Sequence, residues 1–398
     1  MIKKIIKIND INFFQKQVVI REDFNVPIKN NIIINDERLK AAIPTLKSIL
    51  KKGASIIVLS HLGRPKEGKF DKNFSLKPIV KYFKKKLNYP ISFVSNYLNK
   101  KICTKPKELI ICENVRFNIG EKSNNKYLAK KLSNLGEIFI MDAFGVSHRI
   151  HASTYGIAKY ARIAIAGPLF IKELTTLQNT FKNLKKPIIT IIGGAKISNK
   201  LELLKKILTR TNYLILGGCL INIFIKTKII QTKIFPYKKK LLKETKQIIE
   251  LSKTNKCKIP FPIDVIVNKP FSNTHLAYNK YITNINNNDT IMDIGPNTIN
   301  RYINYIHKAK TIIWNGPLGA FEFPQFSYGT KKIARTVANS SALSIIGGGD
   351  TISAINQYNL LKKIDYISTG GGAFIYYFTK RTLPIIPILE KKLKINTQ

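Results

Sequence analysis

The chain is short of acid and of cysteine. Only 23 of its 398 residues are Asp or Glu, against 67 Lys or Arg, which gives a formal charge of +44. Its four cysteines, Cys103, Cys112, Cys219 and Cys257, form no C-x-x-C pair and no zinc spacing, which argues against a disulfide framework or a zinc centre. No apolar run reaches the ~18 residues of a membrane-spanning helix. The greasiest stretches, IITIIGGA and YLILGGCL, stop at glycines, as buried strands do. The start, MIKKIIKINDINFF, is too interrupted for a secretion signal, and Asp10 is wrong for a transit peptide. Cytoplasm is the expected compartment.

Familiar active-site motifs are missing too. No G-x-G-x-x-G follows a strand-like run, so a Rossmann dinucleotide enzyme fits poorly. Gly63 to Lys69 matches the first seven places of a Walker A loop. However, Phe70 replaces the hydroxyl that would hold magnesium, and Pro65 interrupts the cradle. Ser60–His61 and Ser147–His148 are adjacent in sequence, and neither lies in a G-x-S-x-G elbow.

At 44% hydrophobic, the chain can bury large cores, and its length suggests two domains. The 67 basic residues are 57 Lys and 10 Arg, and Ile and Asn are also abundant. Lys, Asn and Ile share AT-rich codons, so the charge reads as composition on a solvated surface. The lysine runs carry no interleaved aromatics. No specific nucleic-acid or membrane partner is expected, although nonspecific polyanion binding is.

Short β-branched runs alternate with amphipathic stretches along the whole length. The first half has QVVIREDFNVP, ASIIVLSHLGRP, ELIICENVRF and EIFIMDAFGVSHR. The second has IITIIGGAK, YLILGGCL, TIMDIGPNT, TIIWNGPLGAFE, LSIIGGGDT and YISTGGGAF. Runs without polar alternation, separated by helical segments, predict parallel strands buried on both faces. The expectation is α/β: two doubly wound parallel-sheet domains, 1–167 and 185–375, with a cleft between them. Phe170, Leu174, Leu177, Phe181 and Leu184 form one apolar stripe, which predicts a helix over 168–184 joining the domains. An ordinary helix inside one large domain is the alternative.

Ligands of open α/β sheets lie beyond the carboxyl ends of the strands. There the first half presents Arg21, Asp23, Asn25, His61, Arg64, Arg116, His148, Arg149 and His151, with Arg38 soon after. Five of the ten arginines fall in or near these loops. A guanidinium fork is needed where two oxygens of a phosphate or carboxylate are gripped together. One arginine alone reads as a salt-bridge partner; several on one edge point to a small polyanion. The second half presents glycines instead, at 193–194, 217–218, 295, 316, 319, 347–349 and 370–372. Glycine after a strand lets backbone approach a ligand, and the next helix offers its N–H groups to phosphates. Asp350 either serves a magnesium–phosphate complex or caps its helix.

These residues resemble the phosphoglycerate kinase family nearly end to end. The match runs from Arg21-Glu22-Asp23-Phe24-Asn25-Val26-Pro27, through SHLGRP at 60–65, ENVRF at 113–117, DAFG at 142–145 and HR at 148–149. It continues with GGAK at 193–196, WNGPLGAFE at 314–322 and GGGDT at 347–351, to STGGGA at 368–373. The resemblance implies reversible transfer of phosphate between ATP and 3-phosphoglycerate, giving 1,3-bisphosphoglycerate and ADP, with magnesium and by domain closure, in a glycolytic monomer. It implies that 1–167 binds phosphoglycerate, that 185–375 binds nucleotide, and that 376–398 returns to the first domain. By the same resemblance, Asp23, Phe24 and Asn25 lie at the glycerate, and His61, Leu62, Gly63, Arg64, Arg116 and Arg149 at its phosphate. Arg38 stabilises the migrating phosphoryl group. Lys196 and Lys200 meet the nucleotide phosphates, Glu322 the ribose, and Gly348, Gly349, Asp350 and Thr351 the phosphate–magnesium end, with Asp350 on the metal.

Several positions depart from the family pattern: Cys219 and Ile221 in the loop after YLILGG, Tyr376 where Glu is usual, and Val146-Ser147 before His148. Cys219 and Ile221 are expected to crowd the adenine pocket. The rival readings are another two-domain kinase acting on a small carboxylate, and a basic protein that kept the fold but binds polyanions.

Overall fold

The computed structural model describes residues 5–99, 102–194, 198–228, 239–268, 276–286, 288–368 and 370–396. The chain divides into two compact units, Met1–Gln178 with Thr382–Gln398, and Asn179–Arg381.

The first unit is built on six parallel strands: β1 (Gln17–Arg21), β2 (Ser55–Leu59), β3 (Ile91–Val94), β4 (Leu109–Cys112), β5 (Ile138–Met141) and β6 (Ile163–Ala166), in the order β3-β4-β2-β1-β5-β6. Every residue of β2, β4 and β5 is buried, as expected of strands covered on both faces. Register sets the loops level. Arg21 pairs with Leu59 on one side and Met141 on the other, so the chain leaves β1, β2 and β5 at one height. Helix α1 (Glu37–Lys51) follows the loop after β1 and carries Arg38 in its first turn.

Helix α2 (Pro168–Lys182) begins with proline, whose missing N–H costs nothing in the first turn. Phe170, Leu174, Leu177 and Phe181 are buried along one stripe. Leu184 lies beyond the helix end and is half-buried. The helix thus stops at Lys182, two residues short of the expected end. The division between the units falls within this helix, after Gln178.

The second unit holds five parallel strands: β7 (Ile188–Ile192), β8 (Tyr213–Leu216), β9 (Thr311–Asn315), β10 (Leu343–Gly347) and β11 (Tyr366–Ser368), ordered β8-β7-β9-β10-β11. The run TIMDIG is not among them. Thr290–Ile294 pairs antiparallel with Asp264–Asn268, which also pairs antiparallel with Tyr278–Tyr281 in a separate three-stranded sheet. A short apolar run fixes burial but not the direction of its partner, so this strand was misplaced by pattern alone.

The chain rejoins the first unit at Thr382 rather than at 376. Helix Gly371–Lys380 continues unbroken to that point, with Phe374 and Phe378 against the Phe181 ring at 5.8 and 5.6 Å. Arg381 then ends it in left-handed backbone and donates to the Phe181 carbonyl at 3.2 Å. The last helix, Ile386–Asn396, lies against β6, and its Lys392 ammonium donates to the Ala161 carbonyl.

Candidate active site

In the first unit, the loops after β1, β2, β4 and β5 bring the arginines together. Arg21 ends β1 fully buried. Its Nε donates to Ser153 Oγ at 3.1 Å, and its guanidinium reaches the Glu22 carbonyl and His61 Nδ1, the latter at 3.2 Å. Asp23 is the hub of the next loop. Its oxygens accept from one nitrogen of Arg38 at 3.1 and 3.2 Å and lie 3.9 Å from His61. The same Arg38 nitrogen donates to the Asn25 carbonyl at 3.1 Å, while Asn25 Oδ1 accepts from the Gly63 N–H at 2.8 Å. The Gly63 carbonyl in turn accepts from Arg116. Gly63 has φ +60°, and a Cβ there would lie 2.2 Å from the Phe74 ring, so only glycine serves.

Two of the expected binding residues point inward. Phe24 is fully buried against Phe83, ring centroids 5.0 Å apart, and its N–H goes to Ser60 Oγ. Leu62 is buried as well, and its carbonyl accepts from Asn114. Their side chains shape the loops from beneath.

The electrostatics are lopsided. Burial, then Arg21, Arg116, Arg149 and Arg38, pushes the His61 pKa well below the usual imidazole range. His148 and His151 are pushed down to about 3, by burial first and Arg149 next. Burial brings Arg116 down to about 10, with Arg149 and Arg21 adding to it. Arg149 is lowered by burial and then by exposed Arg64, and its Nε is buried without a hydrogen-bond partner among the described residues. Guanidinium groups that depress one another, with an unused donor among them, form a cradle for an anion of several oxygens.

Sequence reasoning passed over Glu121. It is fully buried, accepts from the Ser153 N–H and hydroxyl at 3.0 and 2.6 Å, and offsets the charge of Arg21. The scarcity of acid was the only available signal, and it does not say which carboxylate is inside.

In the second unit most of the glycines answer to one another. A Cβ on Gly193 would meet the Pro317 carbonyl at 1.9 Å, one on Gly217 would meet Leu318, and one on Gly371 would meet Gly348 Cα at 2.4 Å. These loops touch backbone to backbone, which explains the glycines without a ligand. Gly349 differs: nothing lies within 4 Å of a Cβ there. It opens helix α3 (Gly349–Gln357), whose N-cap is Gly348, so Asp350 belongs to the first turn and is not the cap. The first turn of such a helix offers N–H groups to an anion.

Thr351 is buried. Its hydroxyl accepts from the Gly316 N–H at 2.6 Å and donates to the Gly347 carbonyl, tying two loops. Half-buried Lys200 donates to the Gly193 carbonyl. Its pKa is lowered by burial and held up by Asp350. Glu322 is exposed on the turn after β9. Lys196 lies outside the described residues. Ile221 is fully buried, so its bulk serves the core of the second unit, whereas Cys219 is only half-buried, close enough to Lys200 for the two to act on each other.

The family model described as Phosphoglycerate kinase matches residues 8–381. A phosphoglycerate kinase of Legionella pneumophila strain Paris is 53% identical over 390 residues, covering 98% of each chain. That of Coxiella burnetii is 42% identical over 386 residues, 97% of this chain and 98% of its own. This chain belongs to the phosphoglycerate kinase family. The solved Coxiella burnetii phosphoglycerate kinase superposes with a TM-score of 0.76 at 42% identity, covering 98% of this chain and all of that one. The Pyrococcus horikoshii enzyme gives 0.79 at 29% identity over 98% and 99%.

Phosphoglycerate kinases use ATP or ADP with magnesium, and the residues present suit that ion. No cluster of three or more His, Cys, Asp or Glu exists among the described residues to enclose a metal. Magnesium, however, takes one or two carboxylates and completes its shell with phosphate oxygens and water. Asp350, exposed beside the open start of α3, is a carboxylate that would suit such a shell.

Proposed function

We propose that this chain transfers a phosphoryl group reversibly between ATP and 3-phosphoglycerate, in glycolysis, as a cytoplasmic monomer. The crowded guanidinium groups of the first unit carry the reading, because cations that depress one another's pKa are relieved by a polyanionic ligand. Arg64, Arg116 and Arg149 grip the substrate phosphate, His61 adds a neutral hydrogen-bonding group, and Asp23 and Asn25 face the glycerate. The start of α3, with Gly348, Gly349 and Thr351, receives nucleotide phosphates. Lys200 is at those phosphates, Glu322 at the ribose, and Lys196 joins them. Asp350 would hold magnesium, which neutralises phosphate charge when bound. Monomeric action is supported by the completeness of each set of residues in one chain. Among the described residues, no helix is long and apolar enough to cross a membrane.

The acceptor is a carboxylate, already ionised at neutral pH, so no proton has to be removed from it. The reaction forms one P–O bond to that carboxylate and breaks the P–O bond to ADP. Protein chemistry therefore reduces to alignment and positive charge. Arg38 supplies the charge from a fixed place, since Asp23 and the Asn25 carbonyl hold its guanidinium before substrate arrives. The histidines, held neutral, bind and orient.

Incubation with ATP, magnesium and 3-phosphoglycerate, with hydroxylamine as trap, tests this directly. Hydroxamate that depends on 3-phosphoglycerate is expected. Its absence with a folded protein would move the reading to another acceptor.

A further inference from the structure

Beneath the loop that carries Asp23 lies a second pair of acids, Glu22 and Asp142, which takes no part in the steps above. Glu22 is 1% exposed and Asp142 0%. They leave the neighbouring strands β1 and β5 side by side, each one residue past the paired Arg21 and Met141, and each acts on the other's titration. Two ionised carboxylates so placed offer only acceptors and repel each other, an arrangement that one proton between them relieves. Glu22 Oε1 and Asp142 Oδ2 are both buried and neither accepts a hydrogen bond from any donor among the described residues.

The surroundings decide which group is the acid. Asp142 Oδ1 accepts from the Phe170 N–H at 3.0 Å, and Asp142 also receives the Leu169 N–H and the Thr45 hydroxyl. It thus sits on the positive start of α2, with three donors to stabilise its charge. Gly167 makes this possible, since a Cβ there would lie 2.2 Å from Asp142 Oδ1. Burial raises the Glu22 pKa most and Asp142 raises it next, while Arg21 lowers it and Asp23 adds a smaller rise. The proton therefore resides on Glu22, which donates to Asp142.

We propose that Glu22 and Asp142 share a single proton, and that this pair is a positioning device for Asp23 and, through it, for Arg38. The backbone of Glu22 is pinned at the same time: its N–H donates to the Leu59 carbonyl at 3.0 Å, and its carbonyl accepts from Ser60 Oγ at 2.7 Å. With side chain and backbone both held, the next residue has little freedom, and Asp23 presents its carboxylate to Arg38 at 3.1 Å. The loop after β1 is thereby tied to the first turn of α2. The groups facing the pair are Arg21 and Asp23 from its own loop, Thr45 from α1, and the N–H groups of Leu169 and Phe170 from α2. The kinetic part of this proposal rests on the phosphotransferase reading; the shared proton does not.

The experiment is an infrared difference spectrum of the full chain at pH 7, wild type minus Glu22→Gln, with kinetics of Glu22→Gln and Glu22→Ala alongside. The expected difference is the carbonyl absorption of one protonated carboxylic acid, present in the wild type and gone in the variant. Glu22→Ala leaves Asp142 facing a gap and lowers kcat/KM for 3-phosphoglycerate about tenfold, while Gln, which can still donate, restores it to within about twofold. Folding retains a proton that the unfolded chain releases above the ordinary carboxylate range, so the pair's own contribution to stability falls as pH rises, and the stability of the wild type relative to the Gln variant falls with it. A difference spectrum without that absorption overturns the shared proton, and equal impairment of Ala and Gln overturns the positioning role. Should Glu22→Gln fail to fold, wild type minus Asp142→Asn is recorded instead, and the acid absorption must be lost or shifted in that variant; an unchanged band overturns the shared proton. Persistence of the absorption in a chain that forms no acyl phosphate would count against the phosphotransferase reading and leave the proton pair standing.

Discussion

Replacing Arg38 by Ala separates what this residue does for the fold from what it does for the reaction. One nitrogen of Arg38 bonds both oxygens of Asp23, at 3.1 and 3.2 Å, and the Asn25 carbonyl at 3.1 Å. The arginine side chain is 30% exposed and Asp23 15%, so water screens the pair in part. The stability cost is then about 0.5–1 kcal/mol, a melting shift of about 1–4 °C at this domain size. The catalytic cost is far larger if the guanidinium is aimed at charge that develops during transfer. Loss of one such donor lowers kcat by about 10²–10³. The KM for 3-phosphoglycerate should move by less than about tenfold, because Arg116 and Arg149 remain in place. A coupled ATP-consumption assay, with a thermal melt on the same preparation, reads both quantities. An Arg38→Ala enzyme retaining more than about a tenth of wild-type kcat would refute the argument, as would a melting loss large enough to explain the inactivity.

Three further outcomes follow from other parts of the molecule. His61, His148 and His151 are held neutral, with pKa values below those of the unfolded chain, so the unfolded state binds more protons as pH falls below ~6.5. The stability these histidines contribute should therefore be fully present above pH ~6.5 and be lost on acidification, by roughly 1 kcal/mol per histidine per pH unit, read as the difference between the wild type and a variant with the three histidines replaced by Gln in denaturant titrations at pH 7, 6 and 5. Gly349→Ala has open space and helical backbone, so it should melt no lower than wild type while weakening ATP binding at the start of α3. By contrast Gly316→Ala, at φ +97° with a Cβ 2.2 Å from the Gly193 carbonyl, should unfold the second unit at a lower temperature. Repulsion among charges summing to +44 should make the melting temperature rise as salt is added from low ionic strength. A melting temperature indifferent to salt would show that the lysines are too well solvated to matter.

Much of the fold was readable from local pattern. Runs such as SIIVL and LIIC have no polar alternation, and buried parallel strands are what such runs become. The arginines stood out because the chain uses lysine wherever charge alone suffices, so five guanidinium groups in or near the loops after strands carried information that 57 lysines did not. What stayed hidden depends on partners distant in sequence. Thr290–Ile294 has the composition of a parallel strand, and its antiparallel pairing comes from Asp264–Asn268. Phe24 and Leu62 sit inside binding motifs, yet the packing above Phe83 and the bond from Asn114 turn them inward. Gly193, Gly217 and Gly316 look like ligand-facing turns and are required instead by loops touching loops. Glu121, Glu22 and Asp142 carry no local mark of burial, since their partners Ser153 and Phe170 come from other strands' loops.

The central claim is that the arginine loops of the first unit are built for a substrate phosphate. Calorimetric titration of the protein with 3-phosphoglycerate, and separately with glycerate, puts that claim to the test. The account predicts that removing the phosphate weakens binding at least about a hundredfold, since it forfeits charge-assisted bonds to several guanidinium groups, and that Arg149→Gln narrows the gap between the two ligands. Equal affinity for the two ligands, or a gap untouched by Arg149→Gln, would contradict it.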